Sequence, residues 1–186
     1  MKKQLPAWLA LTIIAGLAGV LLGLTNELTA PQIDVQALIA ADAARSAVLP
    51  GAKDFKEQEI EEGAPIDNCY LGIANGIEVG YVSQVTVKGY GGEIEVIVGM
   101  DTNGMITGIS VGGANFSETV GLGSKTKDVE FTSQFRDIMP PVAIGQNVDA
   151  VTSATISSGA VVSGVNEAAD YMGSLLFGAN AGGDAA

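Results

Sequence analysis

The stretch Asp149-Ala-Val-Thr-Ser-Ala-Thr-Ile-Ser-Ser-Gly159 leads into the last apolar-periodic segment of the chain. Beyond it, apolar residues recur at the spacing of one buried helical face, and Gly178 supplies a stop signal. The residues on that face are Val161, Val165, Ala168, Met172, Leu175 and Leu176. The stretch therefore predicts the entrance of a C-terminal helix.

Hydroxyl side chains crowd this entrance. They belong to Thr152, Ser153, Thr155, Ser157 and Ser158. The first turn of a helix has unpaired N–H groups and the positive end of the dipole, so it stabilises an anion without a lysine. No lysine or arginine follows Arg136. We therefore expect a phosphate held by N–H groups and hydroxyls, or attached covalently. The alternative is that Ser157 or Ser158 is an N-cap and the other hydroxyls belong to a plain loop.

The run Thr152-Ser153-Ala154-Thr155, followed by Ile156-Ser157-Ser158, resembles the (Ser/Thr)-Gly-Ala-Thr-x-(Ser/Thr) signature of the FMN-binding domain family. The resemblance implies that Thr155 is esterified to the phosphate of FMN by a flavin transferase that uses FAD as donor. It also implies that the residues around Thr155 form the cofactor-binding segment. Ser153 stands where the family usually has glycine, and serine is a mild replacement only where φ is not positive.

Two further motifs resemble the G subunit of the Rnf electron-transfer complex. They are Gly89-Tyr-Gly-Gly-Glu-Ile-Glu-Val-Ile-Val-Gly-Met-Asp101 and Ser117-Glu-Thr-Val-Gly-Leu-Gly123. The C subunit of the sodium-translocating NADH:quinone reductase is a close relative of that family. Phe116 replaces a family histidine, and Val120 replaces a family proline. The order of the motifs matches over nearly the whole chain.

The loop that follows Phe116 is a candidate flavin contact. The resemblance implies that it lies along the isoalloxazine ring, with Leu122 packed on the ring, Glu118 and Thr119 offering polar contacts, and Gly123 among the cofactor-binding residues. Lys125 would place a cation near the flavin, which favours a reduced anionic form. The alternative is a plain surface loop whose glycines make turns.

Composition restricts the function classes. The chain has 186 residues, 47% of them hydrophobic, which predicts one domain with appendages. Its net charge of −12 excludes a phosphate-backbone binder, so we expect no nucleic-acid partner. Histidine is absent, which removes the usual general base, and Cys69 is the single cysteine. We therefore predict no catalytic residue of its own and no metal site, and any redox chemistry requires an added cofactor.

From Leu5 to Leu24 the chain carries no charge, a length close to the roughly 20 residues that span a bilayer. Lys2 and Lys3 precede this segment and Glu27 follows it, which predicts a single-pass helix in the plasma (inner) membrane with residues 1–4 cytoplasmic and the rest extracytoplasmic. The alternative is a cleaved signal peptide. The apolar run is longer than the usual signal core of about 7–15 residues, and Thr25-Asn26-Glu27 is a poor cleavage site.

Residues 25–62 predict an amphipathic helix from about Pro31 to Val48, ended by Pro50-Gly51, and then an acidic linker or sheet edge. The acidic residues are Glu57, Glu59, Glu61 and Glu62. Residues 63–178 predict the FMN-binding domain. Residues 179–186 are small and flexible in composition, typical of a disordered tail.

The predicted domain is rich in strand signals. Cys69–Ala74 and Ile77–Val82 flank Asn75-Gly76, and Ile94–Met100 and Met105–Val111 flank Thr102-Asn103-Gly104. Ser83–Lys88 can add a fifth strand, whereas the length of Gly112–Gly145 is typical of a functional or a disordered loop. The fold class is therefore α+β: an N-terminal transmembrane helix and then an antiparallel sheet packed with helices.

The resemblance implies a membrane-anchored electron-carrier subunit with covalent FMN. Its complex would couple electron flow between ferredoxin and NAD to sodium or proton transport. Its partners would be membrane lipid, an iron–sulfur centre in other membrane subunits and a second flavin subunit. Three alternatives stay open: a C-type subunit of the quinone reductase, a membrane-tethered flavin sensor or scaffold, and a structural module without cofactor.

Overall fold

The structure is a computed structural model that describes residues 6–178, with the side chains of residue 7 and of residues 31–38 left out. The predicted cytoplasmic start at residues 1–4, the first residue of the predicted span and the predicted tail at residues 179–186 lie outside the described residues. The chain divides into two compact units, Met1–Asp42 and Ala43–Ala186.

Helix α1 runs over Ala7–Val48 without interruption. Its segment Trp8–Ala30 is long and apolar enough to cross a membrane, with a mean hydropathy of 2.1. The hydroxyls of Thr12, Thr25 and Thr29 donate to the carbonyls four residues earlier, so they present no unpaired polar group to lipid. The sequence predicted a separate helix from Pro31; the structure has one helix, because a proline removes one hydrogen bond without necessarily ending a helix.

Five antiparallel strands form a single sheet in the order β1-β2-β3-β4-β5. They are β1 Asp54–Gln58, β2 Asn68–Ala74, β3 Ile77–Lys88, β4 Glu93–Asp101 and β5 Ile106–Gly112. Asn75 (φ +53°) and Gly76 (φ +81°) both have positive φ, the backbone of the tight hairpin turn that Asn-Gly predicts. The residues of this turn therefore favour the hairpin that joins β2 to β3.

One part of the sheet differs from the sequence-based expectation, and a second was left open by it. The segment Ser83–Lys88 is not a separate strand but the second half of β3, which pairs with β4 along its length. Residues 54–58 lie in the segment predicted as an acidic linker or sheet edge and form β1, the edge strand paired only with β2 among the described strands. The charges of Lys56 and Glu57 protect this exposed edge from pairing with another chain.

The two faces of the sheet have separate cores. Helix α3, Thr155–Gly178, packs on one face through Val161, Val165 and Met172, which are fully buried. On the other face, Val48 and Leu49 at the end of α1 pack against Val82 and Ile97. Alternation along β3 and β4 divides their side chains between these two cores, as period-2 patterning requires.

The long connection from β5 to α3 is folded. It contains 3-10 turns at Gly123–Lys127 and Ser133–Phe135 and the short helix α2, Val129–Thr132. Phe131 and Phe135 are buried in an edge-to-face pair, with ring centroids 5.2 Å apart. This aromatic pair fixes part of the connection in the main core.

Candidate functional site

The entrance of α3 lies one turn earlier than an N-cap at Ser157 or Ser158 would place it. The helix begins at Thr155, and the N–H of Ser158 already donates to the carbonyl of Ala154 (2.9 Å). Ser157 and Ser158 are buried in the first turn, so neither serine is the N-cap. The Oγ of Ser158 instead accepts a hydrogen bond from the N–H of Val151 (3.0 Å), which holds the incoming chain.

Thr155 has an exposed side chain at the first position of the helix. Among the described residues, its hydroxyl has no hydrogen-bond partner. The N–H groups of Thr155, Ile156 and Ser157 likewise have no acceptor within residues 6–178. The entrance therefore combines a free hydroxyl with unpaired N–H groups at the positive end of a 24-residue helix.

A cavity of about 240 Å³ opens beside this entrance and gathers most of the predicted site residues. Its lining consists of Tyr90, Glu118, Thr119, Leu122, Gly123, Ser153, Ala154, Thr155, Ile156 and Ser157. Sequence reasoning did not assign Tyr90 and Ile156 to the site. Both lie inside the quoted motifs, as the tyrosine of Gly-Tyr-Gly-Gly and the residue after Thr155, and this was the available signal.

Thr152, Lys125 and Ser158 are not in this cavity. Thr152 and Lys125 line a neighbouring cavity of about 300 Å³, together with the acidic residues Asp128, Glu130 and Asp149. Ser158 is fully buried and engaged with Val151. The structure thus places Lys125 in a cavity that is also lined by three acidic residues, rather than in the cavity that holds Thr155.

Glu118 is the one buried carboxylate of the described residues, with 6% of its surface exposed. Its Oε1 accepts a hydrogen bond from the N–H of Gly91 (3.0 Å), and its Oε2 accepts one from the hydroxyl of Ser157 (2.8 Å). Both oxygens are therefore occupied within the protein. The sequence predicted a polar contact from this side chain to the flavin; the structure places Glu118 in the cavity lining, with each oxygen already accepting one hydrogen bond from the protein.

Ser153 lies in the left-handed region, with φ +64°. The sequence-based expectation was that a serine here is mild if φ is not positive, and that condition is not met. An L-residue at positive φ is strained, whereas glycine adopts this conformation freely. The turn before Thr155 therefore requires the backbone geometry that the family signature supplies with glycine.

The other two departures from the family pattern have different surroundings. The ring of Phe116 is half-buried against the core, and the Nζ of Lys127 lies 4.4 Å from its centroid, a cation–π contact. Val120 is 91% exposed at the tip of the loop. Phe116 thus anchors the loop, whereas Val120 makes no core contact.

Residues 89–170 match the family model of the FMN-binding domain. The G subunit of the Na(+)-translocating ferredoxin:NAD(+) oxidoreductase complex from Acetobacterium woodii is 35% identical over 180 residues, covering 85% of this chain and 86% of the relative. The chain belongs to the family of Rnf G subunits. The G subunit of the ion-translocating oxidoreductase complex from Methanosarcina acetivorans is 34% identical, covering 87% of this chain and 90% of the relative.

Among solved structures, NqrC of Shewanella oneidensis resembles this Rnf G-family chain with a TM-score of 0.49 and 17% identity, over 69% of this chain and 73% of that one. The residues that match the FMN-binding domain include both the Gly89–Gly92 turn and the entrance of α3. The cavity described above joins the two, although they are far apart in sequence.

Proposed function

We propose that this chain carries FMN esterified through its phosphate to Thr155 and serves as the electron-carrying subunit of an ion-translocating ferredoxin:NAD oxidoreductase complex. The observation that carries the proposal is the free, exposed Thr155 hydroxyl at the first residue of α3, in a cavity shared with Leu122 and Tyr90. The names and extent of the Rnf G-family relatives support the choice of complex.

The residues around Thr155 fit the phosphate of FMN. A phosphodiester there would lie at the positive end of α3 and accept hydrogen bonds from the unpaired N–H groups of the first turn. This supplies the anion binding that a lysine provides elsewhere, and Lys125 is turned toward the neighbouring cavity. The hydroxyl of Ser157 is not a phosphate ligand here, because it donates to Glu118.

The cavity also fits one side of a flavin ring. Tyr90, Leu122 and Ile156 present apolar surface there and are 72%, 42% and 59% exposed, more than a closed core would leave. Ligand pockets usually measure about 300–1,000 Å³, so a cavity of about 240 Å³ would enclose only part of FMN. Such partial enclosure suits a carrier whose flavin edge must approach donor and acceptor subunits.

Attachment requires a flavin transferase and FAD, as the family resemblance implies. The Thr155 oxygen forms a bond to the phosphorus of the FMN half of FAD, the bond to AMP breaks, and AMP and the hydroxyl proton leave. Thr155 is exposed at its helix terminus, so a separate enzyme has access to it. FMN then supplies one-electron and two-electron transfer chemistry, and we expect no independent catalysis from the chain's own side chains.

For the membrane, we propose a single pass with the N-terminus in the cytoplasm and the FMN domain outside. The candidate span Trp8–Ala30 and the basic residues before it support this orientation. An ester bond keeps the cofactor from diffusing away in an extracytoplasmic space. The partners would be lipid, subunits that hold an iron–sulfur centre, and a second flavin subunit.

The test is mass spectrometry on the full chain purified from its native membrane, with in-gel fluorescence under denaturing conditions. We expect an FMN phosphoester on Thr155 and co-purification of several polytopic subunits. Thr155→Ala removes the flavin and leaves thermal stability nearly unchanged, because the side chain is exposed. Thr152→Ala is the matched control and retains the flavin.

Two results would contradict the proposal. Covalent FMN that persists in Thr155→Ala would assign the ester to another residue. A flavinylated protein that purifies without any other subunit would favour a membrane-tethered sensor instead of an electron carrier of the complex. Co-purification of quinone reductase subunits would favour the C-type alternative.

A further inference from the structure

We propose that Glu118 is the positioning residue of the FMN site. It does not bind the flavin; it locks the first turn of α3 to the Gly89–Gly92 turn and thereby fixes the direction of the Thr155 hydroxyl. The inference rests on the proposed attachment at Thr155 and assigns a task to a side chain outside the ester itself.

The carboxylate joins two segments that no backbone hydrogen bond connects among the described residues. Its Oε1 accepts from the N–H of Gly91 and its Oε2 accepts from the Ser157 hydroxyl. The neighbouring Ser117 hydroxyl donates to the carbonyl of Gly91 (3.1 Å), so both polar groups of that glycine are held. Because Glu118 is 6% exposed, water competes little for these bonds.

Three glycines make room for this arrangement. A Cβ at Gly89 would overlap Oε1 of Glu118, and a Cβ at Gly123 would overlap Oε2 and lie 2.9 Å from the Ser157 hydroxyl. A Cβ at Gly91 would lie 2.6 Å from the carbonyl oxygen of Ser117. The glycines of both motifs therefore serve the carboxylate, which is held in one position by close contact on two sides.

Helix geometry links the clamp to Thr155. Residues two positions apart on an α-helix point about 200° apart around its axis. Holding the Ser157 side chain inward on Glu118 therefore turns the Thr155 side chain outward, toward the cavity and an incoming phosphorus atom. A hydroxyl misplaced by about 1 Å can slow a group transfer by about a hundredfold.

The experiment compares variants of the full chain, purified in detergent without flavin and mixed with flavin transferase and saturating FAD. The rate of FMN incorporation is measured by in-gel fluorescence and intact mass. For Glu118→Ala and for Ser157→Ala we expect rates at least about tenfold below wild type. Glu57→Gln, an exposed glutamate on the edge strand, is the matched control and keeps the wild-type rate.

Two further variants separate positioning from general destabilisation. Glu118→Gln keeps an acceptor for Gly91 and a polar partner for Ser157, so it restores the rate to within about threefold of wild type. The double variant Glu118→Ala/Ser157→Ala is no slower than Glu118→Ala, because both substitutions remove one interaction. Circular dichroism at the assay temperature verifies folding. If Glu118→Ala does not fold, Glu118→Gln and Ser157→Ala still carry the test.

Three outcomes would contradict the positioning role of Glu118. A wild-type rate in Ser157→Ala, or additive losses in the double variant, would overturn the clamp. Wild-type protein that takes up no FMN at Thr155 would instead overturn the proposed function, and this inference with it.

Discussion

The hydroxyl of Thr107, on β5, donates a hydrogen bond to the carbonyl oxygen of Val48, the last residue of α1. That carbonyl lies directly over Gly99 on β4, where a Cβ would overlap it. The end of α1 therefore packs closely against the sheet at Gly99, which has no side chain. The same face carries the smaller of the two cores.

Gly99→Ala is expected to lower the free energy of unfolding by about 2 kcal/mol or more, because backbone must shift to admit the methyl group. Thermal denaturation of the full chain in detergent, followed by circular dichroism, measures the effect. Gly108→Ala is the control on the neighbouring strand. Its Cβ would lie 3.4 Å from the Val48 Cα, an ordinary contact, so we expect a change below about 1 kcal/mol. Equal effects at the two positions would refute the close-approach explanation.

Leu122→Ala is expected to retain covalent FMN but to raise the midpoint potential of the flavin. Leu122 lines the cavity beside Thr155, and removing its side chain admits water that solvates the charged reduced form. A differential stabilisation of roughly 1 kcal/mol corresponds to about 20 mV for a two-electron couple. Spectroelectrochemical titration gives the potential. Val120→Ala is the control, because Val120 is 91% exposed and lies outside the cavity lining, and we expect it to leave the midpoint potential unchanged. An equal shift of the potential in Val120→Ala would contradict a specific contact between Leu122 and the flavin ring.

Ser153→Gly is expected to stabilise the protein. Glycine relieves a cost of roughly 1–2 kcal/mol for an L-residue at positive φ, of which the greater freedom of unfolded glycine offsets about 0.4–1 kcal/mol. The net gain thus lies between about 0 and about 1.6 kcal/mol, measured as a rise in melting temperature. Asn75→Gly, at φ +53° in the hairpin, gains less because asparagine tolerates this region. A lower melting temperature in Ser153→Gly would contradict the backbone assignment.

The Cys69 thiol is expected to resist alkylation in the folded protein. Burial in the core raises the pKa of Cys69 from 9.0 to about 11. The folded state thus keeps the proton that the unfolded state loses first, so this contribution to stability is complete below pH 9 and falls as pH rises toward 11.

The measurement is iodoacetamide labelling at pH 9 with and without denaturant, followed by mass spectrometry. Denaturation curves between pH 8 and 11 compare wild type with Cys69→Ala, which should lose stability less steeply. Some pH dependence remains in the variant, because burial also raises the pKa of Tyr81. Rapid labelling of the native thiol would contradict the burial of Cys69.

Local sequence patterns predicted much of the fold. Asn75-Gly76 specifies its hairpin because both residues adopt positive φ at low cost, and the apolar spacing after Ser158 follows one face of α3. The length of the apolar N-terminal run similarly indicates a candidate span. These features depend on neighbours within a few residues, which the sequence displays directly.

The pairing of strands with distant segments was harder to predict from the sequence. The extension of β3 through Lys88 depends on its partner β4, and β1 forms an edge only because β2 offers unpaired backbone groups. A short charged segment such as residues 54–58 carries no apolar alternation, so pattern alone does not decide between a linker and a sheet edge. Likewise, Phe131 and Phe135 order the connection to α3 through tertiary contacts rather than through local propensity.

By itself, the sequence determined that a membrane-compatible helix precedes an α+β domain and that a hydroxyl-rich helix entrance belongs to a flavin-binding family. Only the tertiary structure decided which of these hydroxyls are buried and hydrogen-bonded and which line the cavity. Thr155 faces the cavity because Ser157 and Ser158 are turned inward, onto Glu118 and Val151. The physical reason is that the Ser157 hydroxyl donates to a carboxylate 39 residues earlier in the chain, and the Ser158 hydroxyl accepts from a backbone N–H, so the partners depend on how the segments approach in space.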